Sequence, residues 1–165
     1  MRYAQIRSMD ISNGSNIGVS LFVQGCLFHC KGCFNSETWD FNGGKEWTNE
    51  VKDKFLDLVS KPYIKRVSIL GGEPLATQNS HEVFLLCSEI KRKYPDKKLW
   101  IYTGNTYENL SREQLKPVIL ADVLVDGQFI DELKDLSLKF RGSSNQRLID
   151  VQKTLKKGEV VLWDK

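Results

Sequence analysis

The sequence predicts an α/β fold built on a mostly parallel sheet, either open or curled into part of a barrel. Short apolar, β-rich runs alternate with amphipathic helical segments, and the helical segments begin at residues that commonly cap helices. Strands that alternate with helices pair in parallel through right-handed crossovers. The 165 residues fit a single domain, 1–165, which is long enough to bury a core without disulfides.

The predicted strands come first. A short strand near Tyr3–Met9 leads through a turn at Asn13–Asn16 into a buried strand at Val19–Val23. Three more apolar runs predict the strands that follow it, at Val67–Leu70, Leu99–Tyr102 and Val123–Val125. Weaker patterns near the C-terminus indicate short strands over Leu148–Val151 and Val160–Trp163, with a helix possible around Val151–Lys156.

Three helices are predicted between these strands, over about 49–60, 79–94 and 111–120. Thr48 is a candidate N-cap for the first helix, and Pro62 lies just past its end. Asn79 with Glu82, and Ser111 with Gln114, have the spacing of capping boxes at the other two helix starts.

The residues with the most chemistry follow the predicted parallel strands. They are Cys26, Gly71–Pro74, Thr103–Asn105 and Asp126–Gly127, each group directly after a different strand. In open and barrel α/β folds, ligands bind at the carboxyl ends of the strands. The sequence therefore predicts one site, formed by four loops at this edge.

Three of the four cysteines, Cys26, Cys30 and Cys33, lie within eight residues. Thiolates select zinc, copper(I) or iron–sulfur clusters, but a closed zinc site needs four protein ligands. The fourth would have to be His29 or Cys87, and neither is convincing: His29 sits beside Cys30, and Cys87 lies in a predicted helix as a small buried hydrophobe. A four-iron cluster on three cysteines instead leaves one iron open to a ligand.

The Cys-x3-Cys-x2-Cys spacing, together with Gly71-Gly72-Glu73-Pro74 at a strand end, resembles the radical S-adenosylmethionine enzymes. The resemblance implies a partial (β/α) barrel, one 4Fe-4S cluster on Cys26, Cys30 and Cys33, and S-adenosylmethionine bound at the open iron. The residues that it implies as cofactor contacts are Gly32, Cys33, Phe34, Gly71, Gly72, Glu73, Thr103, Asp126 and Gln128.

A closer resemblance, to the glycyl-radical-enzyme activases, runs along nearly the whole chain. It is carried by the segments 24–26, 33–35, 38–40 and 43–45. Within that family the segments 102–108, 125–129 and 141–147 are similar to the branch that acts on the anaerobic (class III) ribonucleoside-triphosphate reductase. The resemblance implies this reductase as the partner, a glycyl radical as the product, and an electron donor such as flavodoxin.

Two departures from the family pattern affect this transfer. Asn13-Gly14-Ser15-Asn16 replaces the usual Asn-Gly-Pro-Gly turn, and Gln128 stands where lysine is common. The alternatives left open are an activase of another glycyl radical enzyme, such as pyruvate formate-lyase, and a non-catalytic zinc or iron–sulfur module.

Charge and hydropathy bear on whether the protein binds nucleic acid, enters a membrane or is secreted. The net charge is only +3, and the lysine clusters are interleaved with acidic residues, so nucleic-acid binding is not inferred. We find neither an apolar run long enough to span a bilayer nor a signal-peptide pattern at the first residues. A cytoplasmic protein that does not bind membranes is therefore expected.

Overall fold

The computed structural model describes residues 1–164, with seven strands and four helices in this range. The strands are β1 (Arg2–Asp10), β2 (Gly18–Val23), β3 (Lys45–Glu46), β4 (Arg66–Gly71), β5 (Lys98–Tyr102), β6 (Val123–Asp126) and β7 (Arg147–Asp150). The helices are α1 (Asn49–Val59), α2 (Ser80–Lys93), α3 (Arg112–Val118) and α4 (Val151–Lys157). Within the described range, no helix is both long enough and apolar enough to cross a membrane.

All seven strands form one sheet, in the order β3-β1-β2-β4-β5-β6-β7. The central strands β2, β4, β5 and β6 are parallel, whereas β1, β3 and β7 each run antiparallel to their neighbours. This confirms the α/β class and the parallel centre. The sheet is mixed rather than parallel towards its edges, and over residues 1–164 no pairing of β3 with β7 closes it into a barrel.

Two of the three predicted helix caps are confirmed. The Thr48 side chain accepts a hydrogen bond from the Val51 N–H, and Ser111 and Gln114 form a reciprocal capping box. The capping box predicted at Asn79 is wrong, because the Asn79 side chain makes no cap hydrogen bond and points into the protein instead.

Differences at the level of strands are small. The predicted strand at 160–163 is reduced to an isolated bridge between Ile149 and Leu162. The short edge strand β3 was not predicted, because its two exposed charged residues carry no apolar pattern.

Alternate residues of the central strands face opposite sides of the sheet. One side, called here the outer face, packs against all four helices in a single apolar cluster. The strand residues in this cluster include Val19, Leu21, Val67, Ile69, Leu99 and Ile101. The outer face therefore holds most of the hydrophobic core.

The opposite side, the inner face, carries fewer apolar and more polar side chains. Trp100, Val123 and Val125 form a small second cluster there, and Tyr102 packs against it. The Tyr102 hydroxyl donates to the Phe140 carbonyl at 2.7 Å, which holds the chain after β6 over this face.

The segment between β1 and β2 is held against the inner face by Arg66, which is fully buried. Its Nε donates to the Ser15 carbonyl at 3.0 Å, and its Nη2 donates to the Asp10 carbonyl at 2.6 Å. The Asp10 carboxylate lies 3.8 Å from Nη1 and accepts a hydrogen bond from Ser20. A buried ion pair thus anchors the loop at the amino ends of the parallel strands.

Candidate functional site

A cavity of about 320 Å³ lies at the carboxyl edge of the parallel strands. All four loops predicted to form the site contribute to its wall. The motif residues that line it are Cys26, Cys30, Cys33, Phe34, Gly71, Gly72, Glu73, Thr103, Gly104 and Gly127. A volume near the lower end of the range for small-molecule sites suits one ligand with part of its surface open to solvent.

The segment that carries the three cysteines, residues 25–39, is called here the cysteine loop and begins just after β2. The Gly25 N–H donates to the Thr38 carbonyl at 2.7 Å, and the Cys26 N–H donates to the Trp39 carbonyl at 3.0 Å. The Cys33 N–H closes a turn onto the Cys30 carbonyl at 3.1 Å. These bonds order the loop, so the three half-buried thiols all border the same cavity.

The thiols of this loop differ from the fourth thiol in their surroundings. Burial raises the pKa of Cys26, although the N–H groups of Phe28 and His29 donate towards its sulfur and oppose the rise. Cys87 lies in the outer-face core, where burial raises its pKa to about 12. Cys87 is therefore a small buried core residue, as the sequence predicts.

The three thiols suit an iron–sulfur cluster because they share one cavity. In residues 1–164, no group of three or more His, Cys, Asp or Glu side chains is arranged to hold one metal ion. His29 stacks on Trp39 with ring centroids 4.4 Å apart. A four-iron cluster needs thiolates that share a cavity rather than meet at one point, because each binds a different iron.

Glu73 is buried at the cavity wall and accepts hydrogen bonds from its own chain. Its Oε2 accepts from the Leu75 N–H at 2.9 Å and from the Thr103 hydroxyl at 2.7 Å, and its Oε1 accepts from the Gly104 N–H at 2.7 Å. Burial raises the pKa of Glu73, and these three bonds oppose the rise. A carboxylate has about four acceptor positions, so one position remains, on Oε1.

The two glycines before Glu73 are required by close backbone approach. Gly71 has a φ of +106°, and a Cβ there would lie 2.7 Å from the Phe22 Cα. A Cβ on Gly72 would lie 2.5 Å from the Gly25 carbonyl oxygen, at the start of the cysteine loop. The glycine pair therefore lets the loop after β4 pack directly against the cysteine loop.

Three predicted cofactor contacts lie outside the cavity wall: Gly32, Asp126 and Gln128. Asp126 is fully buried and pairs with Arg147, whose Nε and Nη2 donate to its two carboxylate oxygens at 3.0 and 2.6 Å. Gln128 is exposed, and its carbonyl accepts from the Asn145 side chain. Their role as cofactor contacts stays a prediction.

The structure also brings residues 140–146 to the site, in addition to Ser12 and Asn13 of the turn after β1. Gly142 and Gln146 line the cavity, and the Gln146 Oε1 accepts from the Gly142 and Ser143 N–H groups. Its Nε2 donates to the Gly127 carbonyl at 3.0 Å. The segment carries one of the family motifs, but only the tertiary structure brings it to the cavity.

Aromatic side chains form much of the remaining wall. Phe28, Phe129 and Phe140 border the cavity, and the rings of Phe129 and Phe34 pack with centroids 5.1 Å apart. The sequence signal for Phe28 and Phe129 is their place within or beside the cysteine and Asp-Gly motifs. Aromatic residues in loops are too common for that signal to single them out.

Comparison with known proteins now decides the family. The protein-family model described as a 4Fe-4S single cluster domain matches residues 12–149. A protein of Salmonella typhi named anaerobic ribonucleoside-triphosphate reductase-activating protein is 41% identical over 148 residues, which cover 88% of this chain and 96% of the relative. The chain belongs to the family of anaerobic ribonucleoside-triphosphate reductase-activating proteins.

Relatives with the same name extend this result. The Escherichia coli protein is 40% identical over 88% of this chain and 96% of its own length. The protein of Enterobacteria phage T4 is 38% identical over 90% of this chain and 93% of its own length. The match to a single-cluster domain supports an iron–sulfur cluster in this chain, in agreement with the thiols that share the cavity.

Proposed function

We propose that this protein is a radical S-adenosylmethionine enzyme that generates a glycyl radical on an anaerobic (class III) ribonucleoside-triphosphate reductase. One observation carries the proposal: three thiols and the Gly71-Gly72-Glu73 loop line one cavity in a chain of the activating-protein family. On this proposal the open sheet is the partial barrel of that enzyme class.

We assign Cys26, Cys30 and Cys33 as the ligands of one 4Fe-4S cluster. All three lie on one loop whose two ends are joined to each other by backbone hydrogen bonds directly after β2. Three ligands would leave the fourth iron open to a further ligand.

S-adenosylmethionine would occupy the cavity beside the cluster. The remaining acceptor position on Glu73 Oε1 suits the ammonium group of its methionine part. Phe34 is 55% exposed and presents its ring at the cavity, which suits contact with the adenine. Thr103 keeps Glu73 in place through its hydroxyl, so its role is to orient the carboxylate.

A reduced cluster held by Cys26, Cys30 and Cys33 would supply the one electron needed to cleave the sulfonium C5′–S bond, which would give methionine and a 5′-deoxyadenosyl radical. Residues of this chain would bind and orient the substrate for that step and enclose the carbon on which the radical forms. The aromatic wall of Phe28, Phe129 and Phe140 serves the second purpose, because a radical that attacks almost any C–H bond needs a shielded contact.

The hydrogen atom would come from the Cα of a glycine in the reductase, so that 5′-deoxyadenosine leaves and a glycyl radical remains. The loops at the strand ends would contact the cluster and S-adenosylmethionine, which leaves little of the chain to enclose a small substrate. A glycine loop of a large protein fits this geometry, because no side chain blocks its Cα hydrogen. The electron would come from a donor such as flavodoxin.

The test is electron paramagnetic resonance on the anaerobically reconstituted protein mixed with the reductase, S-adenosylmethionine and a strong reductant. A glycyl doublet is expected with all components and none when S-adenosylmethionine is omitted. A doublet with pyruvate formate-lyase and none with the reductase would move the assignment to that activase. Zinc in place of iron, with no cleavage of S-adenosylmethionine, would favour a non-catalytic module.

A further inference from the structure

The buried side chain of Asn79 connects the two loops that would hold the cluster and S-adenosylmethionine. It is 2% exposed, and its Nδ2 donates to the Gln24 carbonyl at 3.1 Å and to the Glu73 carbonyl at 3.0 Å. Gln24 directly precedes the cysteine loop, and Glu73 is the last residue of the Gly71–Glu73 loop. One amide group therefore uses both of its N–H donors to link the two loops.

This use of Asn79 replaces the capping role that its position suggests. It stands at the N-cap of α2, where an asparagine usually accepts a bond from the helix backbone. Here the helix start receives no such bond, and the amide instead bonds the backbone of the two loops. Since α2 packs into the outer-face core, Asn79 ties both loops to a rigid element.

The two loops also contact each other directly, where the backbones of Gly25 and Gly72 are too close to admit a side chain on Gly72. The Glu73 N–H donates to the Gly25 carbonyl at 2.8 Å, and the Gly72 N–H donates to the Val23 carbonyl at 2.9 Å. These bonds continue the pairing of β2 with β4 past the strand ends. Asn79 adds the link that runs outside this ladder, so it limits how far the loops can twist apart.

We propose that Asn79 is a positioning residue that sets the separation of the cysteine loop and the Gly71–Glu73 loop, and thereby the affinity for S-adenosylmethionine. The inference rests on the proposed function. All three cluster ligands lie on one side of the link, whereas S-adenosylmethionine would touch both sides. Loss of the link should therefore weaken S-adenosylmethionine binding and leave the cluster in place.

The experiment compares Asn79→Ala and Asn79→Asp with Ser80→Ala as the matched control. Ser80 is the next residue at the start of α2 and is also buried, and in residues 1–164 its hydroxyl makes no hydrogen bond to either loop. Asn79→Asp keeps the size of the side chain and removes the donors, so it provides the test if Asn79→Ala does not fold.

Iron and sulfide content, and the paramagnetic resonance spectrum of the reduced cluster alone, should match wild type in all variants. S-adenosylmethionine titrated into the reduced protein should bind about tenfold more weakly or worse in both Asn79 variants, and within twofold of wild type in Ser80→Ala. Wild-type affinity in the Asn79 variants, or loss of the cluster along with binding, would overturn the inference.

A second measurement does not depend on any cofactor. Amide hydrogen exchange in the protein without cluster should become faster at Gly25 and Glu73 in Asn79→Ala and stay unchanged in Ser80→Ala. Unchanged exchange would also overturn the inference. If wild type binds no S-adenosylmethionine while exchange responds as expected, the proposed function fails and the structural link alone remains.

Discussion

The two faces of the sheet use the same strands for opposite purposes. On the outer face, residues such as Val67 and Ile69 are apolar and packed against helices. On the inner face, their neighbours in β4 include Arg66 and Ser68, which are equally buried but polar. Burial alone therefore does not mark a hydrophobic core. The outer face is stabilised by apolar packing, whereas the inner face uses buried polar side chains to hold the loops.

The inner face can be polar because its groups are satisfied. The Ser68 hydroxyl donates to the Asn13 carbonyl at 2.6 Å and accepts from Arg66, which also bonds the backbone of the loop beneath it. A buried polar group without partners costs about 1–3 kcal/mol, and a buried charge costs more. Apolar packing on the outer face stabilises the fold. Burial of polar groups on the inner face costs free energy, but their hydrogen bonds hold the loops in place.

The largest expected effect separates the cavity from the outer-face core by their cysteines. Cys30→Ala should abolish stable cluster binding, because it removes one of three ligands at the site. Cys87→Ala, on the outer face, should keep a full cluster and lose only packing energy. Iron and sulfide analysis after anaerobic reconstitution checks both, and a full cluster in Cys30→Ala with an empty site in Cys87→Ala would reverse the ligand assignment.

Arg66→Ala should be the most destabilising change on the inner face. It leaves the Asp10 carboxylate buried without its cation and several backbone carbonyls without a donor. Breaking a buried pair in this way costs about 3–5 kcal/mol, to be measured by urea unfolding. A loss below about 1 kcal/mol would mean that water replaces the guanidinium and that this face is not sealed.

Two adjacent residues of β4 compare the faces directly. Ile69→Ala on the outer face should cost about 2–5 kcal/mol through a cavity in the main core. Ser68→Ala on the inner face should cost about 1 kcal/mol, the usual value of a hydrogen bond. Urea unfolding of both variants gives the ratio, and equal losses would contradict the division of roles.

The smallest effect is a dependence of stability on pH. Burial by itself raises the pKa of Asp10, but hydrogen bonds from Ser20, Ser12 and Asn13, with the charge of Arg66, hold it below the usual value. A carboxyl whose pKa is lower in the folded state stabilises the protein above its unfolded pKa and loses this contribution as pH falls through the folded value.

The free energy of unfolding of wild type should therefore fall as the pH is lowered from about 5 towards 2, over the range in which Asp10 takes up its proton. Asp10→Asn has no carboxyl at this position and should show a shallower fall over the same range. Parallel pH profiles for the two proteins would show that Asp10 has the same pKa in the folded and unfolded states.

Much of the local structure follows from short-range patterns. Thr48 and Ser111 cap helices because a hydroxyl accepts from an N–H three residues later, a contact that neighbouring residues alone define. Asn79 has the same pattern and a different contact. Carbonyls from two distant loops reach its amide in the folded chain, and no local pattern contains them.

What the sequence by itself determined is the order of elements, the edge of the sheet where the site lies, and the thiols that share it, because periodicity, capping and parallel crossovers act over short stretches of chain. Only the tertiary structure decided the mixed sheet edges, the buried Arg66, the pairing of Asp126 with Arg147, and the segment 140–146 at the cavity. These features depend on contacts between residues far apart in the chain, and such contacts exist only once the core has packed.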